Sequence, residues 1–513
     1  MEATSIPRPG RARPEADQPQ LKRGAISYLS NIVIGVASTA PGYSLAATIG
    51  FIAVIGGIGA HAPAVIIVSF LPMVCIALAY KHLNNADPDC GTTFSWMSRA
   101  MGAGWGWVGG FAVLFADIIV NANQAQIAGI YGFRLVGLGA ASNNTLDIGI
   151  LGVVFIVLLT LICWKGIELS ARTQQFLLGF ELVTLLIFAI VALIKVYTAA
   201  PKHSTHVQLD WFNPFTVGFG PLVLGMLLGV FLFWGWDSGV SVNEETQNSR
   251  SAPGRAAVVS TLVLIGVFLL VSVAAQAYSG PAYLSKNAND IFAGGLASGV
   301  LGPLHFLLTI AVLTSATAAT QTTILPAARS ALSMARRGAI PSRFASIHER
   351  NLVPGFATIV AGVLSVIWFV LILKFSTNVL ADCVSGLGFM VSFYYGFTGF
   401  ACAIFYRREL VKSPRSFLMM GVLPVFGGLV LMGIFVRGMI YYGHASNDLS
   451  KPLLGLGVPD WIGIVGIVGG ILLMLVARRF KPGFFRRERR MVAGDQIVTV
   501  TPEAEFAPAD SML

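Results

Sequence analysis

With 513 residues, 55% of them hydrophobic and only 11% charged, this chain is too apolar for a soluble globular protein, in which about a quarter of residues carry charge. A hydrocarbon core takes about 20 apolar residues per helix, so the composition fits about a dozen crossings and excludes a large soluble lobe or a separate catalytic domain. The formal charge of +10 would raise nucleic acid as a partner of a soluble protein; in a membrane protein the question is where those charges sit.

Residues 1–23 carry four prolines and mixed charge, which predicts a disordered tail. The apolar run that follows is too long for a signal-peptide core and lacks an A-x-A ending, so it reads as a first crossing. Runs long enough to span fall at about 26–55, 62–82, 104–133, 148–164, 174–196, 221–243, 256–279, 302–326, 355–374, 380–405, 417–441 and 461–477. Twelve crossings place both chain ends on one side. With that assignment, 27 of the 34 Lys and Arg residues lie on the side of the termini and seven on the other, the bias of the positive-inside rule. The expectation is a multi-pass protein of the cell membrane with both termini cytoplasmic.

Two crossings carry breaks. The first reads Val36-Ala37-Ser38-Thr39-Ala40-Pro41-Gly42-Tyr43-Ser44. Pro41 removes a helix hydrogen bond and disfavours helix at the residue before it, predicting a half-helix that ends near Ala37 and a second that starts at Pro41, with Ser38 or Thr39 as its cap. N–H groups at such a start suit a carboxylate. The alternative is a simple proline kink. The sixth crossing reads Phe233-Trp234-Gly235-Trp236-Asp237-Ser238-Gly239, with glycines flanking a carboxylate in lipid territory. A charge at the bilayer centre costs about 2.5–3.5 kcal/mol on insertion scales, so Asp237 must face a cavity, pair or carry a proton. Breaks in crossings one and six point to an inverted-repeat transporter with its site between the halves.

Three stretches resemble the amino acid–polyamine–organocation transporter superfamily. They are Gly235-Trp236-Asp237 through Asn243-Glu244-Glu245-Thr246-Gln247-Asn248 to Ala252-Pro253-Gly254-Arg255-Ala256; Ser330-Ala331-Leu332-Ser333-Met334-Ala335-Arg336-Arg337-Gly338-Ala339-Ile340-Pro341; and, more weakly, the loop Asp87-Pro88-Asp89-Cys90-Gly91-Thr92-Thr93-Phe94-Ser95-Trp96. The resemblance runs from about 25 to 480. It implies a leucine-transporter-like all-α membrane fold: one domain over 24–480, with five-helix repeats at about 26–196 and 221–405, additional helices at about 417–477, and a cytoplasmic tail at 481–513. It places substrate on Ser38, Thr39, Ala40 and Gly42 and on Trp234, Gly235, Trp236, Asp237 and Ser238. Trp234 and Trp236 would wall or gate that site, or simply pack. The first break has Ser-Thr-Ala-Pro-Gly where relatives are often richer in glycine. Where proton-coupled relatives frequently carry a Lys in helix five, this chain has Glu181, a carboxylate suited to carry a proton or to help bind a cation. Thr314 and Ser315 fall near the family's cation position.

Asp117, Asn121, Gln124 and Ala128 share one face of the third crossing and should look into the bundle, Asp117 being either a proton carrier or a structural acid. Cys75, Cys90, Cys163, Cys383 and Cys402 lack disulfide or zinc spacing, and the seven histidines read as solvated or packed. No G-x-S-x-G, H-E-x-x-H or nucleotide-binding sequence is present. The reading is a permease, not an enzyme. It takes an amino acid, with proton or sodium as coupling ion and with no cofactor, metal or nucleic acid. The alternatives are a polyamine or organic-cation transporter and a membrane amine sensor.

Overall fold

The computed structural model describes residues 20–487 apart from 293–294, 445–446 and 448–449, and apart from the side chains of 167–170. Most of both tails, including Glu488, Arg489 and Arg490 of the terminal basic cluster, lies outside the described residues. The helices are α1 (Tyr28–Ser38), α2 (Pro41–Val54), α3 (Ala62–Ala86), α4 (Thr93–Met101), α5 (Ala103–Leu135), α6 (Thr145–Lys165), α7 (Ile167–Thr198), α8 (Phe219–Phe233), α9 (Ser238–Ser241) and α10 (Ala252–Ser279). They continue as α11 (Pro281–Lys286), α12 (Leu296–Leu301), α13 (Phe306–Arg336), α14 (Gly355–Phe375), α15 (Val379–Phe405), α16 (Pro414–Ser416), α17 (Leu423–Tyr442), α18 (Val458–Phe480) and α19 (Pro482–Arg487). Two isolated β-bridges are the extended pairing among the described residues.

Eleven spans are long and apolar enough to cross a membrane, among the described residues, with α1 and α2 forming one of them. Helix α8 is apolar but has only 15 residues, because Gly235 stops it early. Burial sorts the spans. The apolar stretch of 28–54 is 89% buried and that of 379–405 is 78% buried, against 28% for 458–480. Helices α1, α2 and α15 therefore form the centre, while α6, α14, α17 and α18 turn Val154, Leu158, Val363, Ile367, Leu429 and Leu472 outward, as lipid-facing surfaces do.

The connections gather at two ends. At the end nearest the chain termini, Ile26 pairs with Glu245 and Gln247, Tyr406 reaches the carbonyl of His82 and Asn351 that of Trp164. At the far end, His61 meets Asp210, Ser285 meets Ala53 and Lys195 meets Gly299. The stretch after α3, expected as a loop, folds from Thr93 into α4. Its buried residues pack on α5 and α15, so tertiary contact supplies the stability that so short a helix lacks on its own.

Candidate functional site

The first break forms where Pro41 placed it. Helix α1 ends at Ser38 and α2 starts at Pro41, with Ala40 at φ 49° in the left-handed region. A non-glycine residue there costs roughly 1–2 kcal/mol, so the surroundings must hold it. The expected capping by Ser38 or Thr39 does not occur. Ser38 Oγ shares a hydrogen bond of 2.7 Å with Ser238 Oγ, and Thr39 Oγ1 donates to the carbonyl of Gly35 at 3.1 Å. The α2 start is capped from afar. Gly42 N–H donates to Glu181 Oε1 at 2.6 Å, and Tyr43 N–H donates to Ser315 Oγ at 3.2 Å.

In the second break, Trp234 to Asp237 separate α8 from α9, and Gly235 has φ 118°. The two breaks touch backbone to backbone. A Cβ on Gly235 would lie 2.7 Å from the Ser38 carbonyl oxygen, and one on Gly35 would lie 3.2 Å from that of Trp236. Glycine is required at 235 for its dihedral and for this approach. Asp237 is 8% exposed. Its Oδ2 accepts from Tyr394 Oη at 3.2 Å, Trp234 Nε1 donates to Tyr394 Oη, and the Tyr395 ring packs on that of Tyr394 with centroids 4.7 Å apart.

A cavity of about 10 Å³, roughly one water's worth, lies against the breaks, lined by Ser38, Thr39, Ala40, Tyr43, Ser44, Val120, Gln124, Phe231 and Trp234. Of the sequence-predicted residues, Ser38, Thr39, Ala40 and Trp234 line this space. Gly42 lies beneath it on Glu181, and Trp236 is fully buried between Tyr80 and Tyr395, ring centroids 5.0 and 5.1 Å away. Asp117 is buried within electrostatic reach of Asp237. Asn121 and Gln124 instead accept from Thr323 and Thr320 of α13. Thr314 Oγ1 donates to the carbonyl of Ala311. Sequence reasoning missed Tyr80, Tyr394 and Tyr395. The adjacent tyrosines in an apolar α15 were the available signal, since a buried phenol seeks a partner.

Toward the termini lies a belt of ion pairs. Arg329 makes a two-pronged contact of 3.0 and 3.0 Å with Glu245, Arg336 meets Glu244 at 2.8 Å, Arg337 meets Asp89 at 2.8 Å, and Arg99 pairs with Asp87. Burial and the Asp89 charge push the Asp87 carboxyl up to about 6, Arg99 offsetting only part. Burial also raises Asp89, but Arg337 and Arg99 outweigh it and hold that carboxyl well below the usual range. Ligand-type atoms of Asp89, Cys90 and Glu244 lie within 4.8 Å of one another, yet both carboxylates are already engaged by arginines. On the opposite end, a vestibule of about 240 Å³ is lined by Tyr131, Arg134, Asp290 and Asn378 among others.

Broken helices meeting at buried polar groups inside an apolar bundle define a multi-pass membrane protein of the solute-carrying kind. The chain belongs to the amino acid permease family, whose pattern it matches over residues 26–467. It is 24% identical over 387 residues to the branched-chain amino acid permease of Lactococcus lactis subsp. cremoris, covering 72% of this chain and 81% of that one. It is also 24% identical over 395 residues to the Asc-type amino acid transporter 1 of Mus musculus (74% and 71%), and 26% identical over 353 residues to an uncharacterized transporter of Mycobacterium bovis (67% and 73%).

Proposed function

We propose that this protein is a secondary active transporter of the cell membrane that moves an amino acid or a closely related small amine by alternating access. The observation that carries this reading is the backbone contact between the two breaks, at Gly35, Ser38 and Gly235, beside a polar cavity. In this reading α8 and α9 form a twelfth crossing. The domain over 24–480 consists of repeats at about 26–196 and 221–405 with extra helices at 417–477, and residues 1–23 and 481–513 are cytoplasmic tails. Ser38, Thr39, Ala40, Gly42, Trp234, Gly235, Trp236, Asp237 and Ser238 form or support the substrate site. The ion-pair belt is the closed cytoplasmic gate, and the vestibule is the outer approach.

Glu181 joins α7 to the α2 start at Gly42, beside the Tyr43 N–H that donates to Ser315 of α13, so a change in its protonation acts on the hinge between half-helices. That position suits a proton coupling site, with Asp117 as a second carrier and Thr314 and Ser315 nearby. The test is uptake of radiolabelled amino acids and amines into proteoliposomes with and without an inward proton gradient. Uptake by the wild type should follow the gradient, and Glu181→Gln should retain exchange while losing that dependence. No flux of any amine-bearing solute would refute the transporter reading; retained pH dependence in Glu181→Gln would refute the role of Glu181.

A further inference from the structure

Every backbone donor at the first break is already used. Thr39 N–H bonds the Val36 carbonyl at 3.1 Å, Ala40 N–H that of Ala37 at 3.1 Å, and Ser44 N–H that of Ala40 at 2.7 Å. Pro41 has no N–H, Gly42 donates to Glu181 and Tyr43 to Ser315. A helix N-terminus can attract a substrate carboxylate only through donors it has left. Here the position is taken by a carboxylate of the chain itself, fully buried, whose second oxygen Oε2 has no hydrogen-bond partner. At the second break the Ser238 N–H donates to the Gly235 carbonyl at 3.0 Å, so it too is used from within, and the buried Asp237 lies beside it with the Tyr394 hydroxyl as its partner.

We infer that Glu181 is a built-in occupant of the carboxylate position, and that the site selects small organic amines lacking a carboxylate over the amino acids that correspond to them. This inference rests on the transporter reading and narrows its substrate class. An incoming carboxylate would have to displace Glu181 from a bond of 2.6 Å or forgo the helix-start N–H groups and rely on cavity side chains such as Gln124 alone, a loss that sites discriminate strongly. An ammonium finds the opposite conditions. The carbonyls of the last turn of α8 end at the break, Asp237 supplies charge, and Tyr43, Phe231 and Trp234 bring aromatic rings to the cavity, which suit a cation.

The discriminating probes are pairs that differ only by the carboxylate: serine with ethanolamine, and leucine with 3-methylbutylamine. Wild-type protein in liposomes should exchange the amine over its parent amino acid by at least about tenfold. Glu181→Gln keeps an oxygen on Gly42 N–H and should keep that preference, whereas Glu181→Ala frees the donor and should bring the ratio near or below one. Thermal-shift binding by the purified protein reads the same pairs without requiring transport. Absent flux with amine-selective binding would therefore refute the transporter reading while supporting this one. Wild-type preference for serine and leucine, in flux or binding, would overturn the inference, as would Glu181→Ala keeping the amine preference in a monodisperse preparation. Should that variant not fold, the wild-type and Glu181→Gln ratios decide.

Discussion

Two sets of buried or half-buried acids lie within this bundle, and they are built on opposite plans. In the belt near the termini, Asp87, Asp89, Glu244 and Glu245 each face an arginine. At the breaks, Asp117, Glu181 and Asp237 are buried, and Glu181 accepts from the Gly42 backbone amide and Asp237 from the Tyr394 hydroxyl. A paired buried charge is a structural joint, because removing either partner leaves the other charge buried and uncompensated. A carboxylate held by neutral donors keeps its charge available for a cation or a proton. On the proposed reading, the belt holds the bundle together and the centre binds.

The sharpest way to break the contrast is at Arg329, 1% exposed against Glu245 at 0%. Arg329→Met leaves Glu245 charged and alone, and should cost about 3–5 kcal/mol, read as a large fall in melting temperature in detergent. Adding Glu245→Gln should recover most of it. If the single variant melts like wild type, the belt is not a structural joint. A smaller effect separates the two acids of the first loop. The raised carboxyl of Asp87 contributes stability below its ordinary value near 3.8, and this is lost as pH rises through about 6. The lowered carboxyl of Asp89 contributes stability above that ordinary value, and this is lost as pH falls below it. Asp87→Asn should therefore remove about 1–3 kcal/mol of pH dependence between about pH 4 and 6, seen as a flatter curve of melting temperature against pH. An unchanged slope would place that titration elsewhere.

The broken first helix was legible because its cause is local: Pro41 and Gly42 act on their neighbours. Its capping was not, because Glu181 and Ser315 arrive from 139 and 272 residues away and leave no trace in the sequence around Ser38. Asp237 was conspicuous as a charge in apolar surroundings, yet its tyrosine partner on α15, Tyr394, lies 157 residues on. Positive charge on Arg329, Arg336 and Arg337 could be counted toward orientation. That the same residues each clasp an acid of another element is a product of tertiary packing. The helix over Thr93–Met101 escaped for a similar reason, since buried contact with α5 and α15 sustains nine residues whose local signal is that of a loop.

The central claim is that the paired breaks are the place where solute is carried, and Asp237 tests it most directly. Asp237→Asn keeps the side-chain shape and leaves Tyr394 and Tyr395 in place while removing the charge. Initial rates of labelled amine and amino acid uptake into proteoliposomes should fall by at least about a hundredfold for amines, with a melting temperature close to wild type. Unchanged uptake by a well-folded Asp237→Asn protein would contradict the account and move the transport site away from the breaks.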